Sequence, residues 1–210
     1  MGHGLRMYRG LAVAGVVALG ALVSQPALAA FTMDFSQVGA NVVGTGSGTI
    51  DFGALTVTPS ASSGFGGLYL SAATPDATLG LGAPTPVSVT GLAGAITGPD
   101  NLGTSPTLVP ATSGSGDAVG INSGATSITI FVPNGYVSGA TLSDSSTWNN
   151  VTLAQLGMNP GSYVWNWGSG VTADSFTINI GASSPVPEPG SLALLALPMA
   201  LLLVRRRRAG

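Results

Sequence analysis

The chain has 210 residues and a formal net charge of −2, from six arginines against eight carboxylates, with no cysteine and one histidine. No Lys, Arg, His or Cys occurs between Ala30 and Ser184, so that stretch cannot assemble a Ser-His-Asp or Cys-His nucleophile, the usual zinc, copper or haem ligand sets, or a disulfide. It also lacks the cations that phosphate binding needs, which excludes nucleic acid as a partner. Carboxylate chemistry, hydroxyl chemistry and oxygen-ligand metals such as calcium are what remain.

Residues 1–29 read as a secretory signal peptide forming a signal helix. Arg6 and Arg9 make a basic start and Leu11 to Val23 is an uncharged apolar run. After the helix breaker Pro26, Ala27-Leu28-Ala29 supplies small residues at both cleavage positions, Ala27 and Ala29. The implied partners are the Sec machinery and signal peptidase. An uncleaved anchor is the alternative, disfavoured because the run is short for a bilayer.

Residues 30–182 form the predicted exported domain, all-β and a β-sandwich or jelly-roll-like single unit. Phe31–Phe35, Ala54–Thr58, Leu68–Leu70 and Val87–Val89 show strand signals. The clearest is Ser127 to Val132, followed by Pro133-Asn134-Gly135. An Asn-Gly pair between apolar runs predicts a hairpin, with a partner strand starting near Tyr136. The region Ala72 to Ser115 is interrupted by Pro75, Pro84, Pro86, Pro99, Pro106 and Pro110, which predicts long loops with short edge strands. Thr152-Leu153-Ala154-Gln155 has capping-box spacing and Gly157 sits where a helix-ending glycine would, predicting one to two helical turns. Asn159-Pro160-Gly161 fits a type II turn. Strands over Ser162–Trp167 and Ser175–Ile180 complete the domain.

Tyr163, Trp165 and Trp167 alternate, so they share one face of their strand. Such a row either stacks sugar rings, making the domain a carbohydrate-binding module, or fills the core; core packing is the favoured reading. Seven aspartates, Asp34, Asp51, Asp76, Asp100, Asp117, Asp144 and Asp174, are scattered singly. An acid-only glycoside hydrolase would need two of them brought about 5–10 Å apart, and is a remote alternative. No cofactor is expected. Calcium at the loops around Asp100-Asn101 or Asp117 is weighed against solvated turn aspartates, and no metal ligand is assigned. Asn150-Val151-Thr152 matches a glycosylation sequon by chance.

The last segment, 183–210, is a linker followed by the apolar run Ser191 to Val204, interrupted by Pro198, and then Arg205, Arg206, Arg207 and Arg208. The run predicts a transmembrane helix over about 191–204, somewhat shorter than the roughly 20 residues a bilayer needs; snorkelling arginines make up part of the difference. Positive flanks stay cytoplasmic, so these four arginines fix the topology with the domain outside. The order Val186-Pro187-Glu188-Pro189, apolar helix, arginine cluster resembles the PEP-CTERM sorting signal of Gram-negative bacteria over the last 26 residues, from Pro185. That resemblance implies recognition at Pro187, Glu188 and Pro189 by a membrane-embedded exosortase, which removes the helix and arginines. An ordinary membrane anchor with a proline-rich spacer is the alternative.

Within the domain, Leu156-Gly157, Pro160-Gly161, Tyr163, Trp165, Trp167-Gly168 and Ala173 to Phe176, with Val132 to Tyr136 and Trp148, resemble a pattern of one PEP-CTERM subgroup that carries no known activity. What the resemblance implies is a non-enzymatic protein made as an inner-membrane-anchored precursor. It would then reach the periplasm, cell surface or extracellular matrix, with a structural or adhesive role in exopolysaccharide or biofilm and extracellular polysaccharide as its partner.

Overall fold

In the computed structural model the described residues are 30–64, 66–71, 76–105 and 107–181. The signal peptide with Ala27 and Ala29, the Pro187-Glu188-Pro189 element, the apolar run and Arg205 to Arg208 lie outside them. Within them the strands are β1 (Ala30–Val38), β2 (Asn41–Thr49), β3 (Thr56–Gly64), β4 (Gly67–Ser71), β5 (Asp76–Leu81), β6 (Pro86–Ala93) and β7 (Val109–Pro110). There follow β8 (Ser113–Gly116), β9 (Val119–Gly124), β10 (Ile128–Pro133), β11 (Thr141–Trp148), β12 (Gly161–Trp167) and β13 (Asp174–Ile180), the last preceded by a 3₁₀ turn, Gly170–Thr172.

These strands form two sheets. The first has the order β12-β13-β1-β2-β11-β8 and the second β3-β6-β10-β9-β5-β4-β7. All pairs are antiparallel except β1 and β13, which run parallel with Phe31 beside Phe176 and Phe35 beside Ile180. Alternation explains the inner face of the first sheet: Phe31, Met33 and Phe35 of β1 are buried, as are Phe176, Ile178 and Ile180 of β13. From the second sheet Leu68, Leu79, Leu81, Leu92, Ile121 and Ile130 meet them in one core. Sheet-to-sheet contact is closest over β2, where a Cβ on Gly44 would lie 2.7 Å from Leu81 of the facing sheet.

The strand β2, Asn41–Thr49, gives no alternation signal because its inward positions after Val42 are glycines. Its bare face is what admits the rings of Phe31 and Phe35 from β1. Several expectations are corrected. The stretch read as loops holds β5 and β6, and both are interior strands. Its prolines frame these strands rather than break them: Pro86 opens β6, where no ladder donor is lost from a strand interior. The Asn134-Gly135 turn closes with Tyr136 N–H donating to Pro133 O at 3.0 Å, but no hairpin forms. The strand after it, β11, belongs to the other sheet and pairs with β2 and β8, while β10 pairs with β6 and β9.

The capping box is present: Thr152 N–H donates to Gln155 Oε1 at 2.8 Å and Gln155 N–H to Thr152 Oγ1 at 3.1 Å. Yet the helix stops after one turn. Met158 N–H donates to Leu153 O and Gly157 N–H to Ala154 O, with Gly157 at φ 71°, so a Schellman-type stop follows the cap directly. Gly161 has φ 158° as the first residue of β12, extended rather than the value near +80° that a type II turn requires.

Candidate functional site

The aromatic row of β12 points inward. Trp165 is fully buried and Trp167 is 3% exposed, while Tyr163 at the end of the row is half-buried. The Trp165 indole N–H donates to Pro99 O at 3.1 Å and Ser123 Oγ at 3.0 Å, and its ring meets Phe176 edge-on at 6.1 Å. Gly98 lies flush on this indole, where a Cβ would collide with the ring. Trp167 Nε1–H donates to Asp51 O at 2.8 Å, and Tyr163 Oη–H to Asn159 O at 3.0 Å. The sugar-stacking role of Tyr163, Trp165 and Trp167 is therefore corrected: these rings are core, and a saccharide cannot reach the two indoles.

The turn residues that sequence singled out converge at one pole, where β1 starts at Ala30. Tyr136 is the tie. Ile50 N–H donates to its Oη at 3.0 Å, and its own proton is placed between Ala140 O at 2.7 Å and Ile50 O at 3.1 Å. Burial pushes the phenol pKa up. Beside it, Ser138 Oγ–H and Gly53 N–H donate to Asp51 Oδ1 at 2.9 and 2.8 Å. Asp174 accepts from Asp51 N–H and Ser175 N–H, each at 2.6 Å. Burial pushes the Asp174 carboxyl up to about 6, with the two amides opposing and the Asp51 charge adding to the shift.

A second couple of aspartates joins β11 to the segment after β8. Asp117 Oδ2 accepts from Ser143 N–H at 2.9 Å. Asp144 faces the interior opposite Gly46 of β2 and is 6% exposed. Neither of its carboxylate oxygens has a hydrogen-bond partner among the described residues. Burial first, then the Asp117 charge, pushes Asp144 up to about 8, and the Gly46 backbone offsets only part of that.

Scattered in sequence, four aspartates are thus brought into two couples. Neither couple lines the grooves described below: Asp174 is spent on backbone amides and Asp144 is sealed between the sheets. At the loops weighed for calcium, Asn101 Oδ1 accepts from Gly103 N–H at 2.9 Å, an Asx-type turn. Among the described residues no three of His, Cys, Asp or Glu stand together as a metal-ligand group.

The largest groove of those resolved opens at the Ala30 pole, with a volume of about 460 Å³. Its apolar wall is Phe52, Val57, Leu92, Val132 and Tyr136, and Thr58, Thr90 and Asn134 supply polar atoms. Val57 lies directly opposite Leu92 across β3 and β6, yet it is 55% exposed while Leu92 is 1% exposed. Cover over the inner face of the second sheet ends at this edge, and the groove is the mouth left there. Phe52 and Tyr136 pack with centroids 6.1 Å apart. Smaller grooves lie beside Trp167 and Gly168, and beside Gln37 and Val151. Sequence reading placed Tyr136 in a turn motif but found no groove, because its wall comes from five separate segments.

Fold and groove together define an all-β protein of two packed sheets, with an uncharged cleft at one end. No protein-family model, no curated protein and no solved structure matches the chain.

Proposed function

We propose that this chain is an exported, exosortase-processed protein of the cell surface or extracellular matrix, with a structural or adhesive role in exopolysaccharide or biofilm and no catalytic activity. One observation carries the reading: every arginine lies within ten residues of an end, and the stretch between Ala30 and Ser184 holds no cation. Guanidinium groups hold the two ends on the cytoplasmic side while the neutral-to-acidic middle crosses. The Val186-Pro187-Glu188-Pro189 element ahead of the apolar run and Arg205 to Arg208 adds the exosortase part of the reading.

The domain's ends support it as well. Ala30 and Gly181 leave at opposite poles, because β1 and β13 are parallel neighbours. A jelly-roll-like sandwich, whose chain passes repeatedly between sheets, would then stand on its tail with the Ala30 pole outermost.

The test is the intact mass of the chain recovered from membrane, periplasm and medium, in cells with and without exosortase. Loss of residues 1–29 in both strains, and of the segment beyond the Pro-Glu-Pro element only where exosortase is present, is the expected result. A cytosolic chain with both ends intact overturns the export reading. An uncut tail in exosortase-containing membranes overturns the sorting step alone.

A further inference from the structure

We infer that the groove at the Ala30 pole is a binding site for a neutral saccharide, held by Tyr136, Phe52 and Thr90. This goes beyond the export reading, and the two stand or fall separately. The volume of about 460 Å³ falls in the range of roughly 300–1,000 Å³ typical of small-ligand clefts. Its chemistry selects the ligand in three steps.

First, charge. None of the groove's lining residues is ionisable at neutral pH, and the domain has no Lys, Arg or His to pair with an anion. Asp51 and Asp174 stand behind the wall, one residue before Phe52 and across from it, so an acidic ligand meets repulsion without compensation.

Second, hydrogen bonding. The hydroxyl protons of both lining threonines are committed to the protein: Thr90 Oγ1–H donates to Asn134 Oδ1 at 3.1 Å, and Thr58 Oγ1–H to Gly91 O at 3.0 Å. The Tyr136 proton is spent on backbone carbonyls. These hydroxyls therefore meet a ligand as acceptors. A ligand rich in O–H donors matches that, whereas a peptide would bring carbonyls that need donors and an alkyl chain brings no donor at all.

Third, surface. Phe52 and Tyr136 give an aromatic wall fixed by the hydrogen bonds of Tyr136, and Val57 and Leu92 continue it. A pyranose, with C–H groups on one face and hydroxyls around the edge, satisfies both halves of the lining.

The site is also presented outward. The chain leaves the domain at Gly181, at the far end of β13 from Ser175, which pairs with Ala30. At about 3.3 Å per residue that separates exit and groove by roughly 20 Å.

The experiment is titration of neutral and uronate oligosaccharides of equal length into the full chain, held in a detergent without a sugar headgroup and followed by calorimetry and ligand-observed NMR. The expected result is saturable binding of a neutral oligosaccharide, with the uronate analogue weaker. Val57→Trp fills the mouth from an exposed position and should abolish binding at an unchanged melting temperature. Thr90→Val, which keeps the shape, should weaken binding about tenfold, the value of one hydrogen bond of about 1–1.5 kcal/mol. No neutral oligosaccharide binding at millimolar concentration overturns the proposal. So does binding that survives Val57→Trp with undiminished affinity, or, should that variant misfold, binding unaltered in Thr90→Val. Preferential binding of an apolar peptide or an alkyl chain by the same groove also overturns it.

Discussion

A carboxyl group shut between two sheets without a partner is the costliest single residue in this molecule, and Asp144 is that residue. The fold tolerates it as the neutral acid. Its pKa rises from the ordinary 3.8 to about 8, so between those values the unfolded chain has lost a proton that the folded chain retains. The folded state then binds more protons, and stability falls as pH rises, by about 1.4 kcal/mol per pH unit and per group. Asp174, raised to about 6, adds a second such slope below that value. The melting temperature should therefore decline from about pH 4 to pH 8, more steeply below 6 than above. Asp144→Asn should flatten the upper half of that decline and raise the melting temperature at pH 8. Thermal melts across this range check it; a wild-type melting temperature constant between pH 6 and 8 would show that Asp144 is not buried as an acid.

At the scale of elements, β2 shows what a strand of glycines contributes. A Cβ on Gly46 would run into the Asp144 carboxylate and come within 2.8 Å of the Phe31 ring. Gly46→Val should destabilise the protein by about 1–3 kcal/mol, the usual cost of overpacking a core, measured as a lower denaturant midpoint. By contrast β3, an edge strand of the second sheet, carries Pro59 at its register shift between Thr58 and Ala61, a combination that blunts pairing with a foreign strand. The capping box at Thr152 and Gln155 was legible because it is local: four residues contain all of its chemistry. Its brevity follows from Gly157, which ends the turn before a second can form.

For the whole molecule, the parallel pairing of β1 with β13 closes the first sheet by joining the two ends of the domain. All three tryptophans lie on strands of that sheet, and each indole N–H donates to a backbone carbonyl. Trp148, Trp165 and Trp167 are 2%, 0% and 3% exposed. Native tryptophan emission should be strongly blue-shifted and resist acrylamide, and its unfolding transition should coincide with that of far-UV circular dichroism, because the sheet cannot open in part. Long-wavelength, readily quenched emission from the folded protein would contradict the inward-facing aromatic row.

What the residue order alone determined is whatever depends on neighbours in the chain. The cation-free middle, the alternation in β1, β10, β12 and β13, the turn at Pro133 to Tyr136 and the capping box could all be read directly. Alternation also placed Tyr163, Trp165 and Trp167 on one face, since a strand's period is two. It could not say which side of the sheet that face would occupy, because that depends on which sheet β12 joins. Only the tertiary structure decided this, along with the partner of β10, the interior position of β5 and β6, and the existence of β2, whose glycines leave no side-chain pattern. The same holds for the two aspartate couples and the groove at Phe52 and Tyr136. Pairing between strands far apart in the chain is set by how one hydrophobic core closes, a property of all the strands at once.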